Sequence, residues 1–331
     1  MDLFELTKSL VNMASVTGHE KACAEFVKEY LVQLGFQAEL MPVSRDRSNV
    51  LATWGRPDVV LSTHMDTVPP FFPAHEDADH IYGRGSCDAK GILATQVAAA
   101  ERLKKDGVQD FALLFLVGEE TVSDGAREAN LHPRGSRYII NGEPTENKLV
   151  TGCKGNLRID VRARGKMAHS AYPHLGVNAI DKLLDVLADL RKIPLPVSPE
   201  LGPSTMNIGM ITGGRAANVV PDQAVAQILI RIVEDAEPLR QKIAELNAGR
   251  CDLEFVRDTP LLMMEKLDGY ETDVVAFTTD LPSLTNWGRP LLLGPGSISM
   301  AHTEHECVRK ADLETAADLY YRLVQDLKSR A

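Results

Sequence analysis

Phe111-Ala-Leu-Leu-Phe-Leu-Val-Gly-Glu-Glu120 is the stretch that decides the fold. Its first seven residues are all apolar, about the length of one strand. A strand wet on one face alternates apolar and polar side chains, whereas a parallel strand covered on both faces does not. The run therefore predicts a central strand in a sheet packed on both sides, with two carboxylates just beyond its end. Working outward, Val59–Thr63 and Tyr138–Asn141 read as further strands, as do Phe36–Val43 and Asn49–Trp54, and Lys90–Leu103 reads as a helix. Nearer the start, Ala22, Cys23, Phe26, Val27, Tyr30, Leu31 and Leu34 recur at helical spacing, with Gly35 as the stop after the last turn. Strands alternating with helices predict an α/β fold, an open and mostly parallel sheet with helices on both faces.

Near residue 155 the texture changes. Leu157, Ile159, Val161 and Ala163 alternate with Arg158, Asp160, Arg162 and Arg164, the period of a sheet wet on one face. A helix follows through Ile180, Leu183, Leu187 and Leu190, then strands near Met206–Ile211 and Ala224–Val233, a helix near Pro238–Leu246, and a strand over Cys251–Val256. That order predicts a small α+β domain of the split β-α-β kind. A chain of 331 residues also exceeds the roughly 250–300 at which single cores stop growing. We expect an α/β domain in two parts, 1–154 and 260–331, with an α+β domain over 155–259 inserted between them. The second part ends in an amphipathic helix carrying Leu313, Ala316, Tyr320, Leu323 and Leu327 on one side.

Composition excludes several function classes. Lys plus Arg number 36 against 46 for Asp plus Glu, a net charge of −10 that repels phosphate backbones. The densest basic cluster, Arg158, Arg162, Arg164 and Lys166, is one face of a strand, so no nucleic-acid partner is expected. No apolar run approaches the roughly 18 residues that a membrane helix needs. The start, Met1-Asp-Leu-Phe-Glu-Leu-Thr-Lys, lacks a basic, then apolar leader. Five scattered cysteines without a C-x-x-C pair point to a reducing compartment, and cytoplasmic localisation is expected.

Chemistry-bearing residues gather at element ends. His64 and Asp66 follow Val59–Thr63, Asp88 opens the helix at Lys90, Glu119 and Glu120 follow the apolar run, and Glu143 follows Tyr138–Asn141. Ligands of open α/β sheets bind beyond the carboxyl ends of the strands. Carboxylates converging there repel one another unless a cation compensates, and His with carboxylate ligands suits divalent zinc, cobalt or manganese. Each residue has an ordinary alternative: Asp88 as a helix cap, Glu143 as a turn residue, Glu119-Glu120 as a solvated pair. Their joint placement favours a metal site. His19, His75, His80, His132 and His305 read as surface residues, His174 stays ambiguous, and His169 and His302 are candidates.

These residues lie in motifs that resemble a family. Ser62-Thr-His-Met-Asp-Thr-Val-Pro, Gly83-Arg-Gly-Ser-Cys-Asp-Ala-Lys-Gly, Gly118-Glu-Glu, Gly142-Glu-Pro-Thr, Gly165-Lys-Met-Ala-His-Ser-Ala, Asn218-Val-Val-Pro-Asp and Gly294-Pro-Gly-Ser-Ile-Ser-Met-Ala-His occur in its order. The chain resembles, nearly end to end, the di-zinc metallopeptidases and deacylases that include acetylornithine deacetylase, succinyl-diaminopimelate desuccinylase, aminoacylase and glutamate carboxypeptidase. The resemblance implies two divalent ions, zinc first with cobalt or manganese as alternatives. One would be held by His64, Asp88 and Glu143, the other by Asp88, Glu120 and His302, with Asp88 shared. It implies Asp66 orienting His64, Glu119 as general base, His169 stabilising the oxyanion, and Asn218 and Arg231 binding the substrate. It further implies that the inserted domain is a lid and a homodimer interface.

The substrate expected is an N-acyl amino acid, as in acetylornithine deacetylase, which the Gly294–His302 run and Cys87-Asp88 resemble most. His305-Glu-Cys-Val-Arg-Lys-Ala-Asp-Leu looks more like the desuccinylase. A small peptide, cleaved by dipeptidase or carboxypeptidase action, is the main alternative. A metal-binding scaffold without catalysis is the remote one.

Overall fold

The Phe111–Leu116 strand is wholly buried and pairs in parallel with Val59–His64, which pairs in parallel with Tyr138–Asn141, which in turn pairs in parallel with Arg289–Leu292. In this computed structural model, which describes residues 1–330, those four strands form the centre of the main sheet. Antiparallel strands flank them: Arg47–Trp54 and Gln37–Ser44 on one side, Leu149–Cys153 on the other. The parallel strands finish almost flush, His64 opposite Leu116 and Asn141 opposite both Ser62 and Leu292. Residues just past these ends therefore share one edge of the sheet.

Local chemistry explains the helices around it. Lys21–Gln33 stops where expected, since Gly35 takes φ +82° and Phe36 N–H returns to Leu31 O at 3.0 Å. Leu3–Val11 starts on a reciprocal cap between Asp2 and Glu5. Lys90–Lys105, Leu3–Val11 and Lys310–Lys328 pack together, and Lys90–Lys105 also lies on Val59–His64. The core unites Leu61, Ile92, Leu113, Phe115, Ile140 and Leu323. No helix among the described residues is long and apolar enough to cross a membrane.

Two compact units result, Met1–Thr151 with Met264–Asp273 and Thr279–Ala331, and Gly152–Met263 with Val274–Thr278. The divisions lie a few residues outside 155 and 259, and the second unit also takes a short strap from the third segment. Met264 N–H donates to Thr151 O at 3.0 Å, so the first unit's chain resumes beside the point where it breaks off. The second unit is built on a four-stranded antiparallel sheet, in the order Thr205–Gly213, Gln223–Ile232, Gly155–Arg164, Asp252–Thr259. Helices Ala179–Leu190 and Ala236–Asn247 cover it, with a core of Leu157, Ile159, Leu183, Ile228 and Ile243. This is the split β-α-β arrangement read from the alternation.

Candidate metal centre

His64 is the last residue of its strand and is 1% exposed. Its Nδ1 lies 3.0 Å from the backbone O of Asp66, and its Nε2 lies 3.0 Å from Asp88 Oδ1. The Asp66 carboxylate stands 3.5 Å from Nδ1 through Oδ1, close enough to fix the ring's direction. It also does something the sequence did not disclose. Oδ1 accepts the N–H of Glu119 at 3.1 Å, and Oδ2 accepts the N–H of Glu120 at 3.2 Å and the Thr17 hydroxyl at 2.7 Å. In an extended chain the two glutamates would point opposite ways. Here Glu119–Val122 form a turn closed by Ser123 N–H on Gly118 O at 2.8 Å, with Asp66 holding its leading amides. Gly118 is required, because φ is +80° and a Cβ would lie 1.9 Å from Asp124 Oδ1.

Asp88 does not cap the helix that follows it. That helix begins after Ala89 without a side-chain cap. Instead Asp88 Oδ1 faces His64 and Oδ2 stands 3.3 Å from His302 Nε2. His302 Nε2 is also 2.9 Å from Glu120 Oε2. Close approach of the chain to itself shapes this loop, since a Cβ on Gly91 would come within 2.2 Å of Ser86 O. Glu143 lies just past Tyr138–Asn141 and is 4% exposed, and its Oε1 has no hydrogen-bond partner. Two donor groups emerge, His64 with Asp88 and Glu143, and Asp88 with Glu120 and His302; within each, the donor atoms lie within 4.8 Å of one another.

The electrostatics call for cations. Burial pushes the Glu143 carboxyl well above its usual range, and neighbouring Glu119 adds to it. Burial does the same to Glu119, helped by Asp280, Glu120 and Asp88, and raises Glu120 against the pull of His302. Burial alone would lower His64, but Asp66 and Asp88 hold its imidazole well above the usual value. Asp88 and Glu120 push His302 up to about 10. Burial would raise Asp88, yet His302 and His64 keep it below the usual carboxylate range. Imidazole and carboxylate donors, one buried oxygen lacking any partner, and carboxylates that resist ionising together fit a pair of divalent cations.

The remaining expected residues lie in the second unit. His169 is exposed beyond Gly155–Arg164, its Nδ1 accepting Ala171 N–H at 3.1 Å. It bridges to Val219, and Ser170 N–H donates to Asn218 O at 3.1 Å, so His169 and Asn218 form one patch. Arg231 does not join them. It pairs with Asn156 at the other end of Gln223–Ile232, roughly 26 Å away at about 3.3 Å per residue. His19, His75, His132, His174 and His305 are exposed and His80 is half-buried.

Sequence reasoning missed the residues that brace the site. Arg47 pairs with buried Glu20 at 2.8 Å and with Asp124, beneath Gly118. Arg84 and Glu306, 2% and 0% exposed, form a buried ion pair beside Asp88. Both Arg84 and Glu306 lay inside quoted motifs, but nothing local to either announces burial.

An α/β sheet carrying these donors at its carboxyl edge defines a metal-dependent hydrolase. The chain belongs to peptidase family M20/M25/M40, whose sequence pattern matches residues 60–326. It is 41% identical, over 98% of its length and 84% of the relative's, to a peptidase M20 domain-containing protein of Schizosaccharomyces pombe. It is 37% identical to a probable carboxypeptidase of Aspergillus terreus, over 96% of its length and 84% of the relative's. Its fold matches a tripeptidase from Staphylococcus aureus with a TM-score of 0.83 and 21% identity, covering 98% of this chain and 97% of that one.

Proposed function

We propose that this metallopeptidase hydrolyses the amide bond preceding a C-terminal amino acid in a small peptide, as a carboxypeptidase or dipeptidase. The observation that carries the reading is the placement of Glu119. It lies beside both donor groups, its amide is held by Asp66, and among the described residues its carboxyl makes no hydrogen bond or ion pair. The carboxypeptidase name of the Aspergillus relative supports a peptide over the acyl amino acid first expected. N-acyl amino acid hydrolysis, as in acetylornithine deacetylase, is the second reading. It is favoured by the Gly294–His302 run and by Cys87-Asp88.

His64, Asp88 and Glu143 would hold one ion and Asp88, Glu120 and His302 the other, with zinc favoured and cobalt or manganese as alternatives. Bound there, two divalent cations would supply Lewis acidity for a carbonyl and a lowered pKa for water. Glu119 takes the proton from the attacking water and delivers it to the leaving amine, work suited to a carboxyl that burial has raised well above its usual range. Asp66 keeps His64 in one orientation and the Glu119–Glu120 turn in one conformation. His169 donates a hydrogen bond to the developing oxyanion and Asn218 binds a substrate polar group, while Arg231, at the far end of its strand, does so from the other copy. The His169–Asn218 patch is remote from the chain crossings, roughly 30 Å along Gly155–Arg164 at about 3.3 Å per residue. Such a patch suits a site on a second copy, so the second unit acts as lid and homodimer interface. Cysteines spread through both units suit a reducing, cytoplasmic compartment.

A panel of dipeptides, N-acetyl and N-succinyl amino acids, read by amine release with added zinc or cobalt, tests this. Metal-dependent cleavage of peptides bearing a free C-terminal carboxylate is expected. A chain with both ions bound that releases no amine from any of them refutes it. For the shared site, His169→Ala should lower turnover about 10²–10³-fold with ions retained. Mixed dimers of His169→Ala and Glu119→Gln chains should regain activity, and proven mixed dimers without recovery would refute sharing.

A further inference from the structure

Asp88 and His302 are far apart in sequence, yet one buried carboxylate anchors both of their loops. Glu306 Oε1 accepts three backbone N–H groups, from Gly85 at 2.9 Å, Cys87 at 3.1 Å and Asp88 itself at 3.0 Å. Its Oε2 accepts Arg84 Nη1 at 2.5 Å, and its backbone O accepts Gly83 N–H at 3.1 Å. Arg84 reaches further. Its Nε donates to Pro70 O at 3.2 Å, its N–H donates to Phe72 O at 3.2 Å, and its guanidinium lies 4.9 Å from the Phe72 ring. Three segments are tied together: the one following His64 and Asp66, the one presenting Asp88, and the one carrying His302 four residues before Glu306.

A buried ion pair is not retained for stability alone, since apolar replacements of the same volume are often no worse. What this pair supplies is direction. Three N–H groups converging on one charged oxygen make strong, charge-assisted bonds that fix the backbone at Asp88. The two donor groups depend on it unequally. His64 and Glu143 stand at strand ends and Glu120 on the turn held by Asp66, so only Asp88 and His302 stand on loops that Glu306 anchors. That is two of three donors in the second group and one of three in the first.

We propose that Glu306, locked by Arg84, is a positioning residue that sets the spacing of Asp88 and His302 and thereby selectively tunes the affinity of the second ion. This rests on the two-ion reading above. Outer partners of metal ligands typically contribute about 10- to 100-fold in affinity.

The test is competition for zinc between a chromophoric chelator and the full-length chain, comparing wild type, Glu306→Gln and His302→Ala. Glu306→Gln keeps the volume and loses the charge. It should hold the second ion about 10- to 100-fold more weakly and the first, which depends on Glu306 through Asp88 alone, distinctly less so, the pattern His302→Ala shows more severely. A purely structural role would instead lower the melting temperature of the metal-free chain and weaken both ions alike, and that result overturns the proposal. Two ions at wild-type affinity in a folded Glu306→Gln chain overturn it as well. Should Glu306→Gln not fold, Arg84→Lys keeps the charge while losing the fork between Glu306 and Pro70. It should show the same selective loss in milder form, and unchanged affinities there count against the proposal. Wild type binding fewer than two ions would overturn the metal reading itself, a result distinct from all of these.

Discussion

The two donor groups share Asp88 and differ in almost everything else. His64 ends a strand and Glu143 closely follows one, and both are nearly inaccessible to solvent. Glu120 sits in a turn, and His302 sits in a loop at φ +62° with its side chain 50% exposed. Strand-borne donors inherit the rigidity of the sheet. Loop-borne donors depend on what holds the loops, here Asp66 for Glu120 and Glu306 for the segment containing His302. The comparison teaches that one ion should belong to the fold and the other to its bracing.

The most damaging change removes what the groups have in common. Asp88→Ala should lose both ions, abolish turnover and melt below the zinc-loaded wild type, because each ion then loses the one ligand that the two groups share. Two tightly held ions in that variant, counted by elemental analysis, would break the comparison. Next in size, Glu119→Gln should retain both ions while lowering turnover about 10²–10⁴-fold or more, since the amide cannot take a proton. Normal turnover would remove Glu119 from the chemistry. Smaller still is the contrast between single histidines. His302→Ala should lose only the second ion to chelator, while His64→Ala should also lower the melting temperature through the buried gap it leaves. Equal behaviour would show that burial does not separate the groups.

The smallest effect is a pH dependence of the metal-free chain. His302 is raised from 6.5 to about 10, so between those values the metal-free fold holds a proton that the unfolded chain releases. Stability from this source is fully present below pH 6.5 and is lost as pH rises towards 10. The raised Glu119, Glu120 and Glu143 carboxyls act in the same direction from the ordinary carboxylate range upward. Bound ions replace those protons. The gain in melting temperature on loading zinc should therefore be larger at pH 9 than at pH 6, and an equal gain would contradict the raised values.

How much of this was legible follows from the range of each signal. The Phe111 run, the alternation from Leu157 to Arg164 and the stop at Gly35 are local patterns, and each produced its element in place. Donors at strand ends were legible because parallel strands finish together. The turn that redirects Glu119 and Glu120 was not legible, and neither was its agent. Asp66 acts through two backbone amides more than fifty residues away, and nothing near Asp66 encodes that distance. Glu306 and Arg47 were missed for the same reason. A charged residue in a loop or at the start of a strand reads as solvated until the tertiary structure buries it against partners from other segments.

The bond between Thr151 and Met264 also bears on engineering. Because the chain re-enters the first unit one hydrogen bond from where it left, the whole intervening segment behaves like a cassette in a socket. Such a cassette could be cut out while the strands that carry the donors keep their pairing. A two-residue Asn-Gly turn of the kind that closes hairpins could bridge the gap. One thread complicates the excision. Val275 O accepts the N–H of Lys154, so the Val274–Thr278 strap has kept company with the cassette rather than the socket. A shortened chain that still captures zinc would show that the metal-binding half folds without the cassette, and one that needs its strap redesigned would mark where the two units depend on each other's chain.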